Sequence, residues 1–417
     1  MNKVLDLHIH SRYSRACSPD LTLENIDKAC RIKGISVIAT GDFTYPQWFL
    51  DIKNKLAEIG SSGLYKLKAA PDAAVKFLLS TEVALIYKDN NCARRIHLVV
   101  HAPNLAAVKK LNEILGRSYN IKSDGRPILG ISAPKFVRLC LDIDPKFLIY
   151  PAHIWTPWFS VFGSKSGFNS FEECFHEETG NIYAYETGLS SDPEMNWRLS
   201  ALDKLTCLSN SDAHSLGNIG REANVMDLKD ETYEEIYQII KTGNKKKLKY
   251  TIEFYPEEGM YHFDGHRDCR FSCDPETSRR LKGICPVCHK PLVLGVAYRV
   301  AELADRPPGF KPAEGVPFKK LVGLDKIIAE ALGVKSRSAQ KVRREYDALI
   351  GKFGSELRIL LDLDLNELKG QTDDRIAEGL KRMRAGHLII SPGFDGQYGV
   401  VNIFSGQEKA APQTPLF

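Results

Sequence analysis

Seven short apolar runs, alternating with longer amphipathic stretches, constrain the fold of residues 1–250 more than any other feature of the sequence. The runs are VLDLHI, VIAT, FLLST, IHLVV, FLIYPA, IYAYE and TCLSN. Helical spacing is visible between them in LTLENIDKACRIKG, NLAAVKKLNEIL and ETYEEIYQIIKTG, and Gly34 and Gly243 occupy positions typical of helix C-caps. This alternation of strands and helices predicts an α/β fold with a parallel sheet, open or closed.

Residues that can bind a metal ion fall at or near the end of every run. They are His8 and His10, Asp42, Glu82, His97, His153, Glu186, and Asp212 with His214. A closed parallel barrel collects its chemistry at the C-terminal ends of its strands. The pattern therefore favours a distorted barrel over an open, doubly wound sheet.

The first run carries two histidines on one strand face. The strand period of two places Asp6, His8 and His10 on the same side, and two imidazoles at this spacing suit chelation of an ion better than a core. The segment SDAH repeats the spacing with Asp212 and His214. Imidazole plus carboxylate without thiolate suits Zn, Mn or Fe, and a carboxylate can bridge two ions. Because two cations can activate water and neutralise phosphate oxygens, phosphoester hydrolysis is the expected chemistry.

Three further residues near these runs have less defined roles. His101 competes with His97 for a ligand position, since it follows four residues later on the same strand face. Glu186 either orients a ligand or merely ends its strand. We expect His176, in FEECFHEE, on the surface of a helix.

Four of the ten cysteines lie within residues 269–288. They form CxxxC and, after eleven residues, CPVC, which is the two-knuckle spacing of a structural zinc ribbon. The predicted ligands are Cys269, Cys273, Cys285 and Cys288. His266 and Cys269 also form an HxxC knuckle, so His266 is an alternative to Cys273.

Length and composition divide the chain into several folded units. The chain has 417 residues, 43% of them hydrophobic and 26% charged, with a net charge of +5, which excludes collagens, disordered tails and disulfide-stapled miniproteins. We expect a catalytic barrel over 1–250, a zinc-binding segment over 251–305, a mainly helical domain with a small hairpin over 306–405, and a flexible tail over 406–417. The N-terminus lacks the apolar core of a signal peptide, and no apolar run reaches about eighteen residues, so a cytoplasmic protein without membrane contact is expected.

Two stretches suggest contact with nucleic acid. In PAHIWTPWFSVFGSKSGF, Trp155 and Trp158 accompany Lys165, and aromatic rings beside a basic group suit stacking on exposed bases. The alternative is that these rings pack a long lid loop. In the turn SDGRP, Arg126 is a candidate DNA contact. Basic residues around the cysteines either line a nucleic-acid path or are ordinary surface charge.

The ligand pattern resembles the polymerase-and-histidinol-phosphatase (PHP) family, which begins with HxH and ends with DxH. The resemblance implies a distorted (β/α)7 barrel whose metal and catalytic positions are His8, His10, Glu82, His97, His153, Asp212 and His214. His97 is preferred over His101 because RRIH matches the family pattern. Two departures reduce the ligand set: Phe43 replaces the histidine of the usual TDH triplet, and the loop after HxH has no histidine. We therefore expect two divalent ions (Zn, Mn or Mg), with Asp42 as a ligand or as a partner of one.

Longer strings extend the resemblance over about residues 1–404. SDGRPILG, PAHIWTPWFSVFGSKSGF, ETGLSSDPEMNWRLSALD, SNSDAHS and GICPVC resemble the endonuclease Q family of DNA-repair enzymes. The resemblance implies a nick on the 5′ side of a deaminated base (uracil, hypoxanthine or xanthine) or an abasic site, leaving 3′-hydroxyl and 5′-phosphate ends. Double- or single-stranded DNA with such lesions is the expected partner, a sliding clamp is a further candidate, and a nucleoid-associated location follows.

Two other functions compete with this one. The first is a PHP-type phosphoesterase that acts on a small phosphomonoester, although a single barrel would suffice for such a substrate. The second is a barrel without metal that serves as a DNA-binding module, to which the missing TDH histidine gives some weight.

Overall fold

The computed structural model describes residues 2–72, 74–405 and 408 as a mixed α/β fold followed by a helical region. The strands are β1 (Asn2–Asp6), β2 (Val37–Ala39), β3 (Leu56–Glu58), β4 (Leu64–Leu67), β5 (Lys76–Leu78), β6 (Ser80–Asp89), β7 (Cys92–His101), β8 (Ile128–Leu129), β9 (Leu148–Pro151), β10 (Ala184–Glu186), β11 (Thr206–Leu208), β12 (Ala223–Asp227), β13 (Leu248–Glu253), β14 (Asp264–His266), β15 (Phe271–Cys273), β16 (Phe318–Lys320), β17 (Ile389–Ser391) and β18 (Val400–Asn402).

The α-helices lie between and after these strands. They are α1 (Leu23–Lys33), α2 (Pro46–Lys55), α3 (Leu105–Ser118), α4 (Ala133–Ile143), α5 (Phe171–Phe175), α6 (Pro193–Asn196), α7 (Tyr233–Thr242), α8 (Pro275–Arg280), α9 (Val296–Leu303), α10 (Leu324–Ala331), α11 (Gln340–Phe353), α12 (Glu356–Leu361) and α13 (Asp374–Ala385). Gly34 (φ 90°) and Gly243 (φ 59°) end α1 and α7 in the left-handed conformation, which confirms both predicted C-caps. Among the described residues, no helix combines the length and apolar character needed to cross a membrane.

Ten strands contribute to one buried apolar cluster. Strand β1 pairs in parallel with β2, β2 with β5, and β10 with β11. An isolated parallel bridge between Ile9 and Ala213 joins the segment after β1 to the segment after β11. The cluster takes side chains from β1, β2, β4, β5, β7 and β9 to β13, and from α7. Its strand members are Leu5, Val37, Leu64, Leu78, Val99, Leu148, Tyr150, Ala184, Leu208, Met226 and Leu248. With the exception of β6, which carries Glu82, the strands that carry or precede the predicted ligands therefore share a common core.

The expectation of a parallel sheet is wrong for several strand pairs. Strands β6 and β7 are antiparallel, as are β7 with β9 and β1 with β12. The reason in the first case is a two-residue turn at Asn90 (φ 46°) and Asn91 (φ 62°), whose left-handed backbone suits a tight hairpin. This hairpin reverses the direction of the strand that carries His97.

The predicted boundary at residue 250 falls inside β13. That strand pairs antiparallel with β12 and in parallel with β16, so a strand from beyond residue 306 joins the sheet of the N-terminal region. The C-terminal region contains α10 to α13 and the predicted hairpin, in which β17 pairs with β18. Apart from Glu408, the predicted tail 406–417 lies outside the described residues.

Candidate metal centre

Six of the seven predicted ligands meet in one buried cluster around Glu82. His97 Nδ1 lies 2.8 Å and His153 Nε2 3.3 Å from Glu82 Oε1, and His10 Nε2 lies 3.3 Å from Glu82 Oε2. Asp212 Oδ1 is 3.2 Å from His10 Nε2 and 3.8 Å from His8 Nε2. His214, the seventh, is half-buried beside Asp212, with its Nδ1 3.6 Å from Asp212 Oδ1.

Glu82 is shared between two groups of potential ligands. One group combines it with His8 and His10, and the other combines it with His97 and His153; in each, the ligand atoms lie within 4.8 Å of one another. A carboxylate in this position can bridge two ions. The arrangement thus accommodates a pair of cations rather than one.

Several side-chain atoms of the cluster have no hydrogen-bond partner among the described residues, and a metal ion would provide one. His8 Nε2, His10 Nε2, Glu82 Oε1 and Asp212 Oδ1 are buried without a hydrogen-bond partner in the described part of the chain. Leaving one such group unsatisfied costs about 1–3 kcal/mol, so four that converge on one space require a common partner. Divalent cations bound by imidazole and carboxylate satisfy all four.

The opposite nitrogens of the ligand histidines are held by neighbouring side chains. His8 Nδ1 lies 3.0 Å from Glu186 Oε2, and His10 Nδ1 lies 3.0 Å from Asp42 Oδ1. His153 Nδ1 lies 3.0 Å from the Thr156 hydroxyl. Such contacts fix the tautomer and the direction of the metal-binding nitrogen.

These contacts bear on two roles that the sequence left open. Glu186 orients His8 and does not merely end a strand. Asp42 orients His10, and its other oxygen accepts hydrogen bonds from the backbone N–H and hydroxyl of Ser11 and from the hydroxyl of Ser14. With both oxygens engaged, Asp42 is a partner of a ligand and lies outside the groups of convergent ligand atoms.

Strained backbone occurs at three positions of the cluster and its surroundings. Asp42 (φ 46°), His153 (φ 28°) and Asp212 (φ 44°) lie in the left-handed region, which non-glycine residues rarely occupy. Gly188 permits the His153 conformation, since a Cβ there would come within 2.4 Å of the His153 Cβ. The strained backbone at these three residues is retained in the fold, and it directs their side chains toward the histidines and carboxylates of the cluster.

The electrostatics of the cluster reflect its concentration of carboxylates. Burial alone would raise the pKa of Glu82, but His97 and Arg126 hold it well below its ordinary value. Burial would lower the pKa of His8 and His10, yet the carboxylates around them, Glu186 and Asp42 foremost, raise both pKa values well above the ordinary value. His97, where burial prevails, has its pKa lowered to about 4. The buried negative charge of the cluster therefore favours a nearby positive charge, which a divalent cation would supply.

The predicted DNA contacts lie in different environments. Arg126 is drawn into the cluster, where its Nη1 donates to Glu82 Oε2 at 2.9 Å. The expectation for Trp155 is wrong: it is buried, and its indole N–H donates to Asn196 Oδ1 at 2.7 Å, so it packs the loop instead of facing DNA. Trp158 is 41% exposed and Lys165 is exposed.

The two histidines set aside by the sequence lie away from the ligand atoms. His101 is buried with its Nε2 3.0 Å from the Tyr150 hydroxyl, so the preference for His97 agrees with the structure. His176 is an exposed residue at the end of α5, near Asp89.

A separate cluster forms where the cysteine knuckles were predicted. It contains His266, Cys269, Cys285 and Cys288, whose ligand atoms lie within 4.8 Å of one another. The structure therefore favours His266 over Cys273, which lies on β15 opposite Asp264 and outside this group. Burial opposes a low pKa at Cys285, but hydrogen bonds from the backbone of Cys288 and Val287 lower it.

Several contributors to the metal centre carry no sequence signal that separates them from ordinary residues. Ser11 and Ser14 hold Asp42, and Thr156 holds His153. Asn210 donates to Glu186 at 2.9 Å. Only proximity to the ligand positions along the chain could have suggested Ser11 and Thr156.

Comparison with known sequences gives one domain match and two relatives. Residues 323–387 match the family described as the MJ0043 C-terminal domain. The uncharacterized protein MJ0043 of Methanocaldococcus jannaschii is 31% identical over 258 residues, covering 60% of this chain but only 31% of that protein, so the chain spans about a third of its length. The uncharacterized protein YqxK of Bacillus subtilis is 28% identical, with 95% of this chain and 98% of that protein covered.

Two solved structures are similar along nearly the full chain. The lesion-specific endonuclease PfuEndoQ of Pyrococcus furiosus is 31% identical, with a TM-score of 0.85 and coverage of 96% of this chain and 95% of that one. A complex of endonuclease Q with a 27-mer duplex substrate that has an abasic lesion at the active site is 31% identical, with a TM-score of 0.84 and 99% coverage of both chains.

Proposed function

The chain belongs to the endonuclease Q family, and on that basis we propose that it nicks DNA at abasic sites and deaminated bases. Membership makes it a metal-dependent DNA endonuclease. The observation that supports the proposal most directly is the set of unsatisfied ligand atoms around Glu82. A related endonuclease Q holds a duplex with an abasic lesion at its active site.

Two divalent ions (Zn, Mn or Mg) fit the two groups that share Glu82. His8, His10 and Glu82 would hold one ion, and Glu82, His97 and His153 the other. Asp212 and His214 form a third group with His10, beside the first ion. Bound there, the ions would supply Lewis-acid activation of water and neutralisation of phosphate charge. The side chains themselves fix the geometry, since Glu186, Asp42 and Thr156 prevent the ligand histidines from rotating.

Arg126 would add a fixed positive charge at the edge of this centre. Its guanidinium is 23% exposed while it pairs with Glu82, so one side faces the cluster and the other can meet a phosphate. Trp158 and Lys165, both exposed, remain candidate DNA contacts on the loop after His153.

The finer properties of the reaction are part of the proposal. We expect cleavage 5′ to uracil, hypoxanthine or xanthine as well as to abasic sites, with 3′-hydroxyl and 5′-phosphate ends. A deaminated base pairs weakly, so its extrusion costs less than that of a well-paired base. A sliding-clamp partner and a nucleoid location stay predictions.

The remaining parts of the chain have structural roles in this proposal. We infer that the strands around the shared apolar cluster form a distorted seven-stranded PHP barrel, and that His266, Cys269, Cys285 and Cys288 bind one structural zinc ion. Such an ion contributes about 10–16 kcal/mol of binding energy to a small unit without a large core.

One assay separates this function from its rivals. The protein and its Asp212→Asn variant are incubated, with and without divalent metal, with duplexes that contain one abasic site, uracil or hypoxanthine. We expect a metal-dependent nick on the 5′ side that Asp212→Asn loses and that Asp142→Asn, a substitution of an exposed carboxylate on α4, retains. Hydrolysis of small phosphomonoesters with intact DNA would favour the phosphoesterase, and lesion binding without cleavage would favour the binding module.

A further inference from the structure

Asp212 lies on the segment between β11 and β12, residues 209–222, which we call the Asp212 loop. Its backbone is left-handed (φ 44°), a conformation that a residue other than glycine keeps only where its surroundings over-determine it. One residue further on, the backbone N–H of His10 donates to the carbonyl of Ala213 at 3.1 Å, which ties the loop to the segment after β1. The strained residue itself needs contacts on its own peptide groups.

Arg221, at the far end of the Asp212 loop, supplies these contacts. Its Nε donates to the carbonyl of Ser211 at 2.9 Å, and its Nη2 donates to the carbonyl of Asp212 at 3.5 Å. The second carbonyl also lies 2.8 Å from His214 Nδ1. The two carbonyls belong to the peptide groups before and after Asp212. Because these two planes define φ and ψ of Asp212, holding both of them fixes the direction of its side chain.

Asp6 holds the two ends of the Asp212 loop together. Its Oδ1 accepts a hydrogen bond from the Ser211 backbone N–H at 3.1 Å, and its Oδ2 accepts one from the Gly220 backbone N–H at 2.9 Å. Asp6 is fully buried at the end of β1 and lies outside the groups of convergent ligand atoms found among the described residues. One carboxylate thus brings Arg221, the residue after Gly220, within reach of the strained backbone.

The chemistry of arginine suits this role. A guanidinium presents several N–H donors in one rigid plane, so it can contact two carbonyls at once, whereas a lysine has a single nitrogen. Arg221 is half-buried and borders a cavity of about 120 Å³ that Phe254, Leu321 and Val322 also line. A shorter side chain at this position would open onto existing space, so its replacement leaves the packed core in place.

We propose that Arg221 is a positioning residue of the metal centre, which acts through Asp212 by fixing the two peptide groups that flank it, while Asp6 holds the loop closed. Asp212 Oδ1 lies 3.2 Å from His10 Nε2, beside the group of ligand atoms that would hold the first ion. This inference rests on the proposed function, because it assumes that the Asp212 carboxylate serves a bound ion.

The test is a double-mutant cycle of Arg221→Ala and Asp212→Ala. Metal-depleted full-length protein is titrated with Mn²⁺ against a fluorescent chelator. In the wild-type background we expect Arg221→Ala to weaken Mn²⁺ binding by about 10- to 100-fold, as for other partners that orient a ligand. In the Asp212→Ala background the same substitution should have little further effect, because the side chain that Arg221 positions has been removed.

Two further variants separate positioning from a general loss of structure. Arg221→Lys keeps the charge but has one nitrogen, so its Mn²⁺ affinity should lie between those of the wild type and Arg221→Ala. The matched control is Arg384→Ala, because the Arg384 guanidinium also donates to two successive carbonyls, those of Ile359 and Leu360, at 2.8 and 2.9 Å. It belongs to the C-terminal helical region and should bind Mn²⁺ like the wild type. Melting temperatures verify that the variants fold.

Single-turnover cleavage of a duplex with one abasic site, measured at saturating Mn²⁺, gives a second readout. Arg221→Ala should lower the maximal rate and leave the half-saturating enzyme concentration unchanged, since the guanidinium contacts the loop and not the DNA. A raised half-saturating concentration at an unchanged maximal rate would overturn the inference, in favour of a DNA contact.

The Mn²⁺ titration decides the inference independently of cleavage. Wild-type Mn²⁺ affinity in Arg221→Ala, or an equal loss with and without the Asp212 side chain, would overturn it and leave the proposed function intact. A wild-type protein that binds Mn²⁺ but fails to cut abasic DNA would instead refute the proposed function, and the double-mutant cycle would still report whether Arg221 acts through Asp212.

Discussion

Replacement of Glu186 by glutamine should weaken metal binding without removing any ligand. Glu186 receives hydrogen bonds at 3.0–3.2 Å from His8 Nδ1, at 3.1 Å from the His153 backbone N–H and at 2.9 Å from Asn210 Nδ2. All three partners are donors, so either orientation of a glutamine amide places its NH₂ group against a donor. His8 Nδ1, which lies near both carboxylate oxygens, would keep only one oxygen partner without a negative charge, so its Nε2 would be aimed less firmly at the metal.

The expected magnitude follows from this loss of orientation. Removing the carboxylate behind a ligand histidine weakens metal affinity by about 10- to 100-fold, which is about 1.4–2.7 kcal/mol. The assay is a titration of metal-depleted protein with Mn²⁺ against a fluorescent chelator, followed by cleavage of an abasic duplex. Cleavage should recover largely at high Mn²⁺ concentration, because every ligand is retained.

The matched control is Glu178→Gln, which alters a buried carboxylate that pairs with Arg138 outside the metal centre. It should bind Mn²⁺ like the wild type. Wild-type affinity in Glu186→Gln, or an equal loss in both variants, would refute the idea that Glu186 acts by orienting His8.

Three further predictions concern other parts of the molecule. Cys285→Ser should remove about one zinc per chain by elemental analysis and lower the melting temperature; unchanged zinc content would exclude the assigned cluster. Arg126→Ala should lower the rate of cleavage more than Arg126→Lys in single-turnover assays, because it removes the cation beside Glu82, and equal rates in the two variants would argue against that role. Burial raises the pKa of Glu253 from 4.5 to about 8, so the folded state holds this proton more tightly than the unfolded chain. The contribution of Glu253 to stability should therefore be greatest below pH 4.5 and fall as pH rises to about 8. Glu253→Gln should remove this contribution to the pH profile in denaturant titrations.

Most of the side chains that converge around Glu82 were predictable because strand periodicity and residue type act locally. His8 and His10 share one strand face, and Glu82 and His153 come together because β6, which carries Glu82, and β9, which precedes His153, both pair with β7. The family resemblance is confirmed by structures that match along the chain. Most of the potential metal ligands can thus be identified from the sequence.

Features that depend on tertiary packing were not predictable. Trp155 and Trp158 stand three residues apart in one aromatic stretch, yet one is buried and the other exposed. The choice between Cys273 and His266 depends on the pairing of β14 with β15, which spacing alone does not determine. The antiparallel hairpin of β6 and β7 depends on a turn that lacks the common Asn-Gly signal.

Anomalous diffraction from crystals soaked in Mn²⁺ tests the central claim most directly. Two peaks should lie in the N-terminal region, one among His8, His10 and Asp212 and the other between His97 and His153, with Glu82 between them. A single peak, or density at Asp42 in place of these positions, would contradict the account of a two-metal centre built around Glu82.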